Sequence, residues 1–224
     1  MFEEENIAHR ALDIKATRLS TDTPFLWASV YYMPMYNDNR IFLAYPNYRR
    51  LITDFFAEKL KETGETFDVI AGTSTAGIPW ASILAHEAEK RLIYVRDKPK
   101  EHGLRNQIEG IDADSDLNRK RVILIEDLIS TGGSSVKAVE AIRKANGICN
   151  RCISIFDYGF SEADKLFGNM NPPCDKSSLL TYGVLLKVAR EVGYINSEQE
   201  EMLREWRLDP FGWGTKRGFP KVEK

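Results

Sequence analysis

The sequence predicts an α/β fold with a central, mostly parallel sheet flanked by helices. Short apolar, β-branched runs alternate with helical patterns between residues 67 and 156, which is the order of parallel strands joined by crossover helices. The run Val122-Ile-Leu-Ile125 reads as a buried strand that ends at two adjacent acids and a small, hydroxyl-rich turn. A chain of 224 residues is long enough for one such domain with small additions at its ends.

The elements follow in order. The first ~20 residues carry Ile7, Ala11, Ile14 and Ala16 on roughly one helical face. Residues 23–36 are aromatic and β-prone, with Pro24 and Pro34 restricting the ends. Pro46 opens a helix that runs to about Lys61. Residues 67–72 form a short buried strand, 78–90 the helix after it, and 91–96 the next strand. Residues 97–116 are polar and charged and are predicted to be a loop. Strand 121–125 leads into helix 134–146, with Gly147 as its C′ residue. Residues 148–156 form a further strand. Residues 178–206 read as two helices, broken at Gly193, with Ser197 and Glu200 as a capping box. The tail at 209–214 is expected to be irregular. No linker, repeat or low-complexity tract divides the chain, so residues 1–224 are expected to form a single domain: an N-terminal segment (1–45), a core (65–160) and a helical C-terminal extension (178–224).

Composition excludes several classes. A net charge of −2 leaves no overall basic field for nucleic acid. No apolar run approaches the ~20 residues that span a bilayer. Met1-Phe-Glu-Glu-Glu5 is acidic and lacks a signal-peptide core, which points to the cytoplasm. Three cysteines cannot all pair with one another. Cys149-x-x-Cys152 has no second pair or nearby His to complete a zinc site, so free thiols in a core strand are expected.

The chemistry concentrates in Glu126-Asp-Leu-Ile-Ser-Thr-Gly-Gly-Ser134. Gly132 and Gly133 allow close backbone approach and positive φ. The free N–H groups at the helix start, with the hydroxyls of Ser130, Thr131 and Ser134, suit a phosphate. Glu126 and Asp127 are acceptors for two ribose hydroxyls or a Mg²⁺ water shell. The segment is not a P-loop, because no Lys follows the glycines. Upstream, Asp68-Val-Ile-Ala-Gly-Thr-Ser-Thr-Ala-Gly-Ile-Pro79 places small residues after a strand, a second arrangement suited to an anion at a helix N-terminus.

These motifs resemble the type I phosphoribosyltransferases, and among them the orotate phosphoribosyltransferases. The hydrophobic strand, acid pair and Thr-Gly-Gly turn resemble the family's signature for phosphoribosyl pyrophosphate (PRPP). The resemblance assigns PRPP to Glu126, Asp127, Leu128, Ile129, Ser130, Thr131, Gly132, Gly133 and Ser134, together with Arg96, Lys100 and His102. The segment Thr73-Ser-Thr-Ala-Gly77 is similar to the family's pyrophosphate loop, which adds Thr73, Ser74, Thr75, Ala76 and Gly77. Arg96-x-x-x-Lys100-x-His102-Gly, followed by Gln107-Ile-Glu-Gly110, resembles a mobile catalytic loop that acts in the neighbouring subunit. The resemblance therefore implies a homodimer with loop 97–116 crossing between subunits, and Arg96, Lys100, His102 and Asp127 as catalytic residues. Asp97 departs from members with a second Lys directly after the Arg.

Residues 25–40 resemble the family's base segment, Ser-Gly-x-Lys-Ser-Pro followed by an aromatic. Ser29, Pro34, Tyr36, Asp38 and Arg40 match, whereas Val30, Tyr32 and Met33 replace Gly, Lys and Ser. Tyr36 and Arg40, with Ser130, are the orotate residues so implied, and residues 1–45 become a small hood over the base. Loss of the Gly removes easy access to positive φ, and loss of the Lys removes a cation. Simple aromatic packing is the competing role for Tyr31 and Tyr32.

The implied reaction joins orotate to PRPP, with Mg²⁺ held mainly through PRPP and no direct protein ligand. The partners implied are PRPP and orotate, with no nucleic acid and no membrane. Two alternatives remain open at this point: a phosphoribosyltransferase for another nucleobase, and a non-catalytic PRPP-binding regulator. His9 and His86 sit in helical segments away from every motif and take surface or packing roles.

Overall fold

The computed structural model describes residues 3–98, 107–111 and 116–223. In chain order the elements are α1 (Glu3–Asp13), β1 (Thr17–Leu19), β2 (Phe25–Leu26), β3 (Tyr32–Met33) and β4 (Met35–Asn37), then a 3-10 helix (Asn39–Ala44) and α2 (Pro46–Glu62). Next come β5 (Val69–Thr73), α3 (Gly77–Glu87), β6 (Arg91–Val95), β7 (Ile108–Glu109), β8 (Arg121–Ile129) and α4 (Gly133–Lys144). The chain closes with β9 (Ile148–Asp157), α5 (Ser161–Gly168), β10 (Asp175–Thr181), α6 (Tyr182–Glu191), α7 (Ser197–Leu208) and α8 (Trp213–Lys216).

Two compact units result, one from residues 49–179 and one from residues 1–48 with 180–224. The unit of residues 49–179 holds most of a six-stranded sheet in the order β10-β9-β8-β5-β6-β7. Strands β6, β5, β8 and β9 run parallel, and β7 pairs antiparallel with β6. The expected mostly parallel sheet is therefore present. Because the four strands share one direction, the loops that leave β5, β6 and β8 all emerge at one edge, where α/β sheets bind ligands. Every residue of β5 is buried, and Val69, Ala71, Val122 and Leu124 join α4 residues Val139 and Ile142 in one core.

The unit of residues 1–48 and 180–224 carries two small antiparallel pairs, β1 with β4 and β2 with β3. Its helices α1 and α6 pack together, burying Ile7, Ala8 and Ala11 with Leu185 and Ala189. The buried Tyr182 donates its hydroxyl to the Leu203 carbonyl at 2.7 Å, and its ring meets Trp206 at 5.6 Å between centroids.

Several sequence expectations need correction. Helix α1 stops at Asp13, because Lys15 adopts a left-handed φ of 58° that turns the chain into β1. Strand β7 interrupts the predicted loop 97–116, too short a run to register as periodicity. Residues 178–181 belong to β10 rather than to a helix. The capping box of α7 sits one residue earlier than expected, with the Asn196 side chain accepting from Gln199 N–H at 2.8 Å and Gln199 reciprocating at 3.0 Å. At the end of α4 the left-handed residue is Asn146, with φ 60°, not Gly147. Gly147 N–H donates to the Ile142 carbonyl at 3.0 Å and Asn146 N–H to that of Arg143 at 3.0 Å, the two bonds of a Schellman close. Gly147 is needed for space instead: a Cβ there would sit 2.7 Å from Leu117 Cδ1 and 2.8 Å from Ile142 Cγ2. The tail that was expected to be irregular contains the short helix α8.

Candidate functional site

Strand β8 extends four residues further than expected and carries the acid pair inside its ladder, with Glu126 opposite Ser154 of β9. Alternation along the strand separates the two acids. Glu126 is 5% exposed, whereas Asp127 is half-buried. Both Glu126 oxygens are engaged. Thr73 Oγ1 donates to Oε1 at 2.6 Å, and Ser135 Oγ donates to Oε2 at 3.0 Å. The Asp127 backbone N–H also donates to Oε1, at 3.1 Å. One buried carboxyl thus ties the end of β5 to the first turn of α4. Burial raises its pKa to about 8, the neighbouring charge of Asp127 adds to the rise, and the Thr73 hydroxyl opposes it.

The turn from β8 into α4 has the form expected from its glycines. Gly132 is left-handed, with φ 83°, and caps α4 with no side-chain hydrogen bond to the first turn. A Cβ at Gly132 would lie 3.2 Å from Ala163 and Phe167, so packing as well as φ calls for glycine. The backbone N–H groups of the first turn are left without a side-chain cap, the condition for holding an anion there. Ser130, Thr131 and Gly133 are half-buried and Ser134 is exposed, whereas Gly132 is buried. Leu128 is half-buried. Ile129 is fully buried in the core, and its carbonyl accepts the Tyr158 N–H at 3.1 Å.

The loop after β5 lies beside this turn, because β5 and β8 are direct neighbours with Gly72 opposite Ile125. Ser74 N–H donates to the Val95 carbonyl at 2.9 Å, and the Ser74–Thr75 peptide bond is cis. Ser74 and Ala76 are half-buried and Thr75 is exposed. Gly77 begins α3 so close to β8 that a Cβ would fall 2.6 Å from the Ile125 carbonyl oxygen. The two loops are therefore pressed together through glycine and linked through Glu126.

Arg96 leaves β6 at the same edge. Its backbone N–H donates to the Gln107 carbonyl at 2.9 Å, the Gln107 side chain returns a bond to the Arg96 carbonyl at 2.9 Å, and its guanidinium reaches Glu109 at 3.4 Å. With β7 paired on β6, both ends of the loop between them are fastened at the sheet edge. Lys100 and His102 lie outside the described residues.

Tyr36 and Arg40 belong to the other unit. Tyr36 is half-buried, 6.0 Å from the Phe25 ring, with the Arg18 guanidinium 5.0 Å from its centroid. Arg40 grips Asp38 with two bonds, at 2.6 and 2.8 Å. That pairing holds the Asp38 carboxyl below its ordinary range while Asp38 caps the 3-10 helix through Arg40 N–H. Tyr31 and Tyr32 pack as aromatics, Tyr31 edge-on to Phe211 at 5.2 Å and Tyr32 against Phe219 at 5.9 Å.

Sequence reasoning missed Ser135 and the bond from Thr73 to Glu126. A hydroxyl at the third residue of α4 carries no signal of its own: its partner Glu126 lies nine positions away, and Glu126 is in turn 53 positions from Thr73. Cys149, Cys152 and Cys174 are free and buried, as expected for the C-x-x-C pair, and burial raises all three thiols. No group of three or more metal-ligating side chains occurs among the described residues.

Residues 39–171 match the family described as phosphoribosyl transferase domain. A protein of Listeria monocytogenes named orotate phosphoribosyltransferase is 41% identical over 214 residues, 96% of this chain and 100% of that one. Among solved structures, the UMP synthase of Leishmania donovani aligns with a TM-score of 0.72 and 28% identity, over 91% of this chain and 42% of that longer one. The orotate phosphoribosyltransferase of Aeropyrum pernix aligns with a TM-score of 0.69 and 24% identity, over 85% of this chain and 99% of that one, a likeness of fold.

Proposed function

We infer that this chain, which belongs to the phosphoribosyl transferase family and within it to the orotate phosphoribosyltransferases, transfers the phosphoribosyl group of PRPP to orotate. The products are orotidine 5′-monophosphate and pyrophosphate, a step of pyrimidine nucleotide synthesis. The observation that carries the reading is the juxtaposition at one sheet edge of Asp127, the uncapped start of α4 and the 73–77 loop. A sugar bearing a phosphate at one end and a pyrophosphate at the other needs such a pair of anion cradles with an acceptor between them.

The roles follow from exposure and bonding. The turn from Ser130 to Ser134 holds the 5′-phosphate. Asp127 grips the ribose hydroxyls. Glu126, buried and already bonded, positions the two loops rather than touching the sugar. The 73–77 loop holds pyrophosphate. The resemblance assigns Ser130, Tyr36 and Arg40 to the base, residues 1–45 to a hood and residues 178–224 to a helical extension. As a ring nitrogen of orotate bonds to C1′, the bond to pyrophosphate breaks and negative charge builds on the leaving group. Arg96, Lys100 and His102 neutralise that charge, and the loop excludes water that would otherwise hydrolyse PRPP.

Phosphoribosyltransferases generally use Mg²⁺ with PRPP. We propose that the ion would be carried in mainly by PRPP oxygens and water, with Asp127 as a carboxylate beside its shell. When bound, the ion neutralises charge on pyrophosphate. We propose a homodimer in which the 97–116 loop serves the neighbouring subunit. We also place the enzyme in the cytoplasm, in keeping with three free thiols. No helix among the described residues is long and apolar enough to cross a membrane.

The test is loss of orotate absorbance with PRPP and Mg²⁺, with Lys100→Ala as the control. Turnover that collapses in the control supports the reading. A folded protein that turns over another base faster than orotate overturns the choice of base, and one that binds PRPP but turns over no base overturns the enzyme.

A further inference from the structure

Three residues depart from the base-segment pattern, and each meets the C-terminal extension. Val30 occupies the left-handed region, with φ 65°, where a β-branched residue is rarely found. The turn there is tight: Val30 N–H donates to the Trp27 carbonyl at 2.9 Å, and Trp27 N–H to that of Tyr31 at 2.9 Å. The Val30 carbonyl accepts the backbone N–H of Val222 at 3.0 Å, so the tail is bonded to the strained residue itself. Tyr32 rests on Phe219. The bare Cα of Gly214 lets α8 close on the Tyr32 carbonyl, which would lie 2.9 Å from a Cβ there. Met33 is fully buried, and its sulfur accepts the Trp206 indole N–H at 3.1 Å. Lys221 Nζ stands 4.9 Å from the Tyr31 ring centroid, returning a cation to a segment that lacks one at position 32.

We propose that the tail, residues 211–222, is a positioning clamp that holds the 27–33 turn in the left-handed form a glycine would adopt unaided, and that orotate affinity depends on it. The proposal rests on the functional reading above, because it takes the 25–40 segment as the side of the site that meets the base. In a chain without the clamp, Val30 relaxes toward ordinary φ and the turn leaves its bound shape. With a glycine at position 30, no clamp is needed.

The experiment compares four chains: the intact protein, a chain ending at Arg217, Val30→Gly, and Val30→Gly in the shortened chain. Ending at Arg217 is expected to raise KM for orotate about 5- to 30-fold, the penalty of left-handed backbone for an L-residue. KM for PRPP should stay within about twofold. Val30→Gly in the shortened chain should bring orotate KM back to the value measured for Val30→Gly in the full-length chain. An unchanged orotate KM, an equal rise for both substrates, or failure of the glycine to rescue would each overturn the clamp. Val222→Pro deletes the N–H donor alone and gives the same readouts if the shortened chain does not fold. Hydrogen exchange of the 27–33 peptide separates this proposal from the functional reading. Shortening should speed its exchange in the Val30 chain and not in the Val30→Gly chain, whether or not orotate is the substrate. Equal exchange in both would refute the clamp independently of turnover.

Discussion

Replacing Glu126 by Gln isolates the buried carboxyl that joins the end of β5 to the first turn of α4. Desolvation of Glu126 and the charge of Asp127 lift its pKa from the ordinary 4.5 to about 8. The folded protein therefore keeps a proton on this group that the unfolded chain releases above pH 4.5. With more protons bound in the folded state, stability falls as pH rises from about 4.5 to about 8, and levels off beyond that. At about 1.4 kcal/mol per pH unit, the gap sets a ceiling of about 5 kcal/mol, and dielectric relaxation around a buried ion reduces this to about 2–5 kcal/mol. Gln reproduces the protonated form, since its carbonyl accepts from Thr73 and the Asp127 N–H while its amide donates to Ser135 Oγ. The assay is urea unfolding of both proteins from pH 5 to 9. The stability of the natural chain relative to Glu126→Gln should decline by about 2–4 kcal/mol between pH 5 and 8 and then level off. A difference that does not vary with pH would show Glu126 ionised throughout and refute the reasoning.

Other outcomes follow from the same geometry. Asp127→Asn should lower kcat/KM by about 100-fold or more through lost charge-assisted bonds to ribose, with the melting temperature little changed because the side chain is half-buried. Mixing inactive Lys100→Ala and Asp127→Asn subunits should restore activity if the loop works across a dimer, and no restoration would place the loop in its own subunit's site. Gly132→Ala should destabilise the protein by about 1–2 kcal/mol and weaken PRPP binding, since the residue is left-handed and its Cβ would press on Ala163; calorimetry with and without PRPP measures both. The three thiols should resist an aromatic disulfide reagent at pH 8 until the protein is unfolded, because each is buried with its pKa raised.

Much was legible in the chain because the relevant signals are local. The alternation of β-branched runs with helical patterns is a short-range property, and it specified β5, β6, β8, β9 and the helices between them. The Thr131-Gly-Gly turn was legible because glycine's backbone freedom is intrinsic to the residue, and Gly132 does take the positive φ it allows. What the sequence left open depends on distant groups meeting. Glu126 and Asp127 are adjacent in sequence, yet strand alternation buries one and leaves the other half-exposed, and only the packing of Thr73 and Ser135 makes a buried acid tolerable. Val30 looked like a lost glycine, and its left-handed backbone bonds to Val222, 192 residues away. Met33 looked like a lost serine, and its sulfur receives an indole proton from Trp206. Propensity belongs to a segment and can be read from it, whereas burial and hydrogen-bond satisfaction belong to pairs of segments and exist only once the chain has folded.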